Sequence, residues 1–297
     1  MNGARASIAG VLGAALALGG AAAVLRARET TRPLPPSNDR LLYLTSGKTA
    51  RRVVLSFDSL AADVYWMRAI QHYGRDRKAP ASRARFELLQ PLLDLTTTLD
   101  PHFNIAYRFG AIFLSLDPPD GPGRTDQAIA LLNKGLAANP SRWQYAHDIG
   151  FIYYWYAGDY RQAANWFERA STMPGAPSWI APLAAVMLAQ GGDRQAARRL
   201  LMELRSASEP YIQRTAERSL AQLDALDAID VIQSVVERFR AQTGRYPTGL
   251  AELIRAGMLR GAEDPTGVPF AYDAERHVVS LSSESTLMPL PRAMGNR

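Results

Sequence analysis

Ile149 to Ala170 reads IGFIYYWYAGDYRQAANWFERA, two apolar stretches around Gly158-Asp159-Tyr160. The first stretch carries Ile149, Gly150 and Tyr153. The second carries Ala163, Phe167 and Ala170, a small–large–small row at the three-to-four-residue spacing of one helix face. Gly suits the left-handed residue that ends a helix, and Asp suits the cap that starts the next. The stretch therefore predicts two helices joined by a tight turn. Thirty-four residues later, Gly192-Asp193-Arg194 stands where Gly158-Asp159-Tyr160 stood, and Ala197, Leu201 and Leu204 take the places of Ala163, Phe167 and Ala170. One unit earlier, Ala128, Leu132, Gly135 and Pro140 fill the second-helix positions with a shift of one residue. A fixed period of this length marks stacked helical units, each burying its apolar face on its neighbours.

Reading outward predicts four helix pairs: 58–73 with 86–99, 103–116 with 125–138, 143–156 with 160–171, and 179–190 with 194–207. Pro101, Pro140, Pro174 and Pro210 punctuate the ends of the second helices, because Pro cannot continue one. The pattern resembles the tetratricopeptide repeat family, in which a helix with small and aromatic residues packs on a second helix and a Pro turn follows. The third pair matches best, through Gly150, Tyr153, Gly158, Tyr160, Ala163, Phe167 and Ala170. It carries one residue more than the family between Gly150 and Gly158. The second pair keeps Phe109-Gly110 and Phe113 but has the long turn DPPDGPGR, and the first has a basic turn over 75–85. The resemblance covers about 58–210 and implies an all-α, solenoid-like array over 58–225, with Gly110, Ala128, Ala197 and Leu201 also in packing roles.

The flanks differ from this array. Ile8–Leu25 is an uninterrupted run of Ile, Ala, Gly, Val and Leu. At 1.5 Å per residue it reaches about 27 Å, close to the roughly 30 Å of a bilayer core. It reads as a signal anchor over 1–28 that leaves the bulk of the chain in the periplasm of an inner-membrane protein. The small residues Ala21-Ala22-Ala23 permit the other reading, a cleaved signal peptide and a soluble exported protein. A Pro-rich spacer over 29–40 follows, then LLYLTSGKTARRVVLSF, which reads as a hairpin over 41–57. Its Ser-Gly-Lys-Thr lacks the earlier Gly that a phosphate loop needs, since position 42 is Leu.

Beyond the array, 211–241 reads as one long helix whose first part covers the last pair. A small α+β module over 226–297 follows, with a short helix and two short strands. Thr243-Gly244-Arg245-Tyr246-Pro247, Leu250, Leu253 and 264–272 (DPTGVPFAY) are similar to the globular end of type II secretion major pseudopilins. That similarity implies a structural role in a secretion or pilus-like machine. The prepilin processing site and the Asp-rich calcium loop of that family are missing, so no metal site is carried over.

The chemistry points to binding, not catalysis. Cysteine is absent, which removes disulfides, Cys-based metal sites, a Cys nucleophile and a lipidated Cys. His72, His102, His147 and His277 are far apart in sequence, and no metal or nucleophile motif occurs. Asp58 and Asp63 read as cap and salt-bridge residues, and Asp100, Asp159 and Asp193 as turn or cap residues. The net charge is +6, and residues 1–40 hold five basic against two acidic side chains. Half the excess therefore flanks the apolar run, which argues against nucleic-acid binding. No cofactor and no metal are expected. Aromatics crowd the first helices of pairs one to three, and in the family that side lines a peptide groove. The expected partner contacts are Arg68, Tyr107, Arg108, Tyr145, His147 and Tyr154, set against core packing for the aromatics and a salt bridge for Arg108. The function this implies is a non-catalytic scaffold holding a protein partner in an envelope complex.

Overall fold

The computed structural model describes residues 18–21, 23, 24, 52, 54, 56–80 and 85–291. The chain is mostly helical. Its elements are α1 (Asp58–Lys78), α2 (Leu89–Leu99), α3 (Asn104–Ser115), α4 (Thr125–Ala138) and α5 (Trp143–Ile152). A π-helical turn (Tyr153–Ala157) leads to α6 (Tyr160–Ser171), α7 (Ile180–Gln190) and α8 (Arg194–Leu204). Then come the long α9 (Pro210–Thr243), the short α10 (Leu250–Arg255), and strands β1 (Ala271–Asp273) and β2 (Val278–Ser280). From α1 to α9, each helix packs against the next in sequence.

The 34-residue recurrence is visible atom by atom. Gly158 (φ 66°) and Gly192 (φ 82°) both take the left-handed conformation that favours Gly. The next residue caps the following helix each time: Asp159 accepts from Gln162 N (2.9 Å), and Asp193 accepts from Ala196 N (3.0 Å). Replacing either Asp by Ala is expected to cost about 1 kcal/mol, measurable by denaturant unfolding. Equal stability of both variants with the parent would show that these caps carry nothing. Ala128, Ala163, Phe167, Ala170, Ala197 and Leu201 are all buried. Gly110 and Gly150 permit close approach: a Cβ on Gly150 would lie 2.9 Å from the Phe167 ring, and one on Gly110 2.7 Å from Leu93. Tyr153 and Tyr160 pack half-buried against the same core.

The extra residue between Gly150 and Gly158 has a physical home. A π-turn accommodates one more residue than an α-turn, and Tyr153–Ala157 is such a turn. Asp159 N then bonds back to Tyr153 O at 2.9 Å, so the turn still closes.

Other boundaries depart from the expectation. The first helix runs on to Lys78, so Arg75, Asp76, Arg77 and Lys78 belong to it and not to a basic turn. Cations in the last turn of a helix meet the negative end of its dipole, which favours extension. Arg77 also pairs with Asp120 (2.9 Å) in the long turn after α3. Asp58 lies in the first turn of α1 and does not cap it, since Phe57 holds the cap position without a side-chain bond. The second helix begins at Leu89, not at residue 86: Phe86 has positive φ (50°), outside helical geometry. The hairpin expected over 41–57 and the spacer over 29–40 lie almost wholly outside the described residues, and Arg52 is helical where it is described. So does Ile8–Leu25, apart from 18–21, 23 and 24. Among the described residues no helix is long and apolar enough to cross a membrane.

The C-terminal part forms a second core. Ile232, Val235, Val236 and Phe239 of α9 pack with Leu250, Leu253, Phe270, Val279 and Leu287. β1 and β2 pair antiparallel, with Tyr272 opposite Val279. Arg194 and Arg198 of α8 clamp α9 at an Asp ladder: Arg194 reaches Asp227 (2.9 Å) and Asp230 (2.5 Å), and Arg198 reaches Asp224 and Asp227. The i, i+4 arginines face the i, i+3, i+6 aspartates, so each guanidinium is shared between two carboxylates.

Candidate functional site

The first helices α1, α3 and α5 each have two apolar faces. In α3, Ala106, Tyr107, Gly110, Ala111 and Leu114 point inward and are buried. At 100° per residue, Ile105, Phe109 and Ile112 fall on the opposite side. All three are exposed, Phe109 at 51%. In α5, Tyr145, Ala146, Ile149 and Gly150 point inward. Phe151 and, beyond it in the π-turn, Trp155 are exposed, the latter at 59%, with their rings stacked at 6.1 Å. In α1, Leu60, Val64, Met67 and Ile70 are exposed on the side away from Ala62, Tyr65, Ala69 and Tyr73.

These faces adjoin. Tyr145 Oη donates to Asn104 Oδ1 (2.5 Å), and Arg108 bonds Asp148 through Nε (2.5 Å) and Nη2 (3.1 Å). The paired residues advance together along both helices, so α3 and α5 run parallel. Trp66 and Tyr73 of α1 stack on Phe113 at the edge of α3, at 6.1 and 4.2 Å. The result is an apolar surface interrupted by one bidentate ion pair. Asp148 raises the Arg108 pKa, mainly through its hydrogen bonds, and keeps the guanidinium charged.

The six expected contact residues divide. Tyr107 and Tyr145 are corrected: both are fully buried and cannot touch a partner. Their rings lie 5.4 Å apart beneath the surface, and burial pushes both hydroxyls up to about 12. Arg108 is exposed and paired with Asp148, a bridge between consecutive helix pairs. His147 is half-buried among Phe167 (5.4 Å) and Trp179 (5.5 Å), with Asp148 at 3.2 Å from its Nδ1. Tyr154 is half-buried, packed edge-on to Trp155 and Tyr160, each at 6.0 Å. Arg68 is half-buried on α1, 5.7 Å over the Tyr65 ring. Ile105, Phe109, Ile112 and Phe151, which are exposed, were not among the expected contacts. Their signal was the second apolar row on each helix, half a turn from the first.

Two of the four histidines hold structural contacts. His72 is buried and accepts from Leu88 N (3.2 Å), while His102 meets Asn139 (2.5 Å) to hold a turn. Among the described residues no group of three or more His, Asp or Glu is placed to hold a metal ion. Comparisons with protein-family models, curated proteins and solved structures gave no match.

Proposed function

We propose that this chain is a non-catalytic, membrane-anchored scaffold of tetratricopeptide type that holds a protein partner in a cell-envelope complex. Ile8–Leu25 serves as the inner-membrane anchor, with the bulk of the chain in the periplasm. The observation that carries the binding role is the exposed apolar surface of α3 and α5, Ile105, Phe109, Ile112, Phe151 and Trp155 around the Arg108–Asp148 pair. An apolar patch of this kind is uncommon on a monomer surface, and aromatic residues beside a neutralised Arg suit an interface core. The 34-residue recurrence with its Gly-Asp turns supports the repeat reading.

The test is affinity capture of the full chain from membranes with a Phe109→Asp/Trp155→Ala variant. Partner recovery should fall by about tenfold or more, since buried aromatic anchors carry most of an interface's energy. The variant's unfolding midpoint should match the parent's, because both side chains are exposed. Unchanged recovery would sink the assignment of the face.

A further inference from the structure

A groove of about 580 Å³ runs along the start of α9. Tyr211, Arg214, Arg218 and Gln222 line it from α9, with Val186 from α7 and the Pro-Leu-Pro segment 289–291. Its charge is one-sided. Arg214 and Arg218 stand one turn apart, and both are exposed. Among the described residues no carboxylate lines the groove. At 100° per residue, Glu217 and Asp224 fall on the other side of α9. Asp224 and Asp227 are held there by Arg198. The packed helix α7, IAPLAAVMLAQ, carries no charge, and Glu284 of the C-terminal segment does not line the groove. Arg218 Nη2 donates to Met288 O (2.8 Å) and Thr286 O (3.3 Å). Gln222 Nε2 donates to Leu287 O (2.8 Å) and Pro289 O (2.9 Å). These bonds fix the C-terminal segment beside the helix. The rest of the Arg218 guanidinium, and all of the Arg214 guanidinium, have no hydrogen-bond or ion-pair partner among the described residues. Both keep donors in the fork geometry that suits a carboxylate.

We infer that this groove docks an extended segment of a protein partner that carries two carboxylates separated by one residue. A carboxylate here meets two positive charges and no negative one, so the charge selects an acidic occupant. The length selects an extended chain. Tyr211 and Gln222 are eleven residues apart on one helix, about 17 Å, which about five extended residues span. The spacing selects the pattern. Arg214 and Arg218 are about 6 Å apart along the axis, close to the ~7 Å between alternate residues of an extended segment. Alternate side chains point to the same face, so an acid-x-acid pair reaches both arginines at once. Apolar neighbours of the pair meet Tyr211, exposed at 54%, and Leu290. The groove shares no residue with the α3 and α5 face and does not rest on that assignment.

The probe is a fluorescein-labelled peptide, Leu-Asp-Leu-Asp-Leu with both ends blocked, titrated with the full chain in neutral detergent and read by anisotropy. Asn in place of both Asp should weaken binding by about tenfold or more, because charge-assisted bonds are lost. The isomer Leu-Asp-Asp-Leu-Leu should bind about fivefold more weakly, since one carboxylate then points away. Arg214→Gln should weaken the first peptide by about tenfold and leave the unfolding midpoint unchanged, because this side chain ties nothing together within the protein. Glu217→Gln should bind as the parent does, and so should Phe109→Asp/Trp155→Ala, which separates this groove from the α3 and α5 face. No binding by the parent, or equal binding by Arg214→Gln, would overturn the inference. Equal affinity for the isomer would overturn the extended acid-x-acid occupant. Citrate displacing the probe as well as unlabelled peptide does would mean a small-anion site. Parent dimers that Arg214→Gln dissociates would place a second copy in the groove. Either result also overturns it.

Discussion

Tyr107→Ala should destabilise the protein by about 3–5 kcal/mol, the range for removing a large buried aromatic. The Tyr107 side chain is fully buried, packs against the Tyr145 ring, and donates its hydroxyl to Thr97 O at 3.3 Å. A Cβ on Gly135 would sit 3.0 Å from the same ring, so the small residue of α4 and the large residue of α3 fill one space between them. Deleting the ring leaves a cavity that Gly135 cannot fill. Phe109→Ala, two residues further along, should change stability by about 0.5 kcal/mol or less, because that ring is exposed. Urea unfolding of both variants checks the pair. Equal destabilisation would show that α3 is rotated from the orientation described. The two substitutions thus separate folding from binding within one helix.

Asp264→Ala should be the next most damaging, by about 2–4 kcal/mol. The carboxylate is buried and accepts from Thr266 N (2.8 Å), Thr266 Oγ1 (2.6 Å), Val268 N (3.1 Å) and Ser285 Oγ. It ties the turn before β1 to the segment after β2, and Ala would untie that turn and leave the Ser285 hydroxyl buried without this acceptor. Burial pushes this carboxyl upward, but the hydrogen bonds from Ser285, Thr266 and Val268 together outweigh it and hold the pKa below its ordinary value. A depressed folded-state value gives stability that is present above the unfolded pKa of about 4 and lost as pH falls through the folded one. The difference between parent and variant should therefore shrink on acidification below about pH 4. A gap as wide at pH 3 as at pH 7 would mean that the ionised carboxylate is not what holds the turn.

The helical array was legible because its signals are local. Gly158-Asp159 and Gly192-Asp193 mark helix ends through backbone geometry and capping alone. Accordingly α6 and α8 begin where the sequence placed them, at Tyr160 and Arg194. The end of α1 was harder, because Arg75, Arg77 and Lys78 look like a solvated turn until their position at a helix C-terminus is known. Of the six residues expected at the candidate face, Tyr107 and Tyr145 lie inside. Both were expected in a groove as aromatics of the first helices, yet both rings are buried and their hydroxyls have partners inside, Thr97 O and Asn104 Oδ1. Phe109 and Phe151, with nothing to satisfy, lie outside. Which of two apolar rows turns inward is decided by neighbouring helices, and that is not local information.

The length of α9 has a mechanical meaning. Its 34 residues extend about 51 Å at 1.5 Å per residue, with no Pro after Pro210 and no Gly before Gly244. Ile232 and Phe239 belong to the core of the C-terminal module, while Leu220 and Leu223 complete the core built on α7 and α8. One unbroken rod is thus rooted in both cores, and the Arg194 and Arg198 clamps grip it midway. A pull on the C-terminal module would be carried along this shaft into the last helix pairs, with no loop between them to give way.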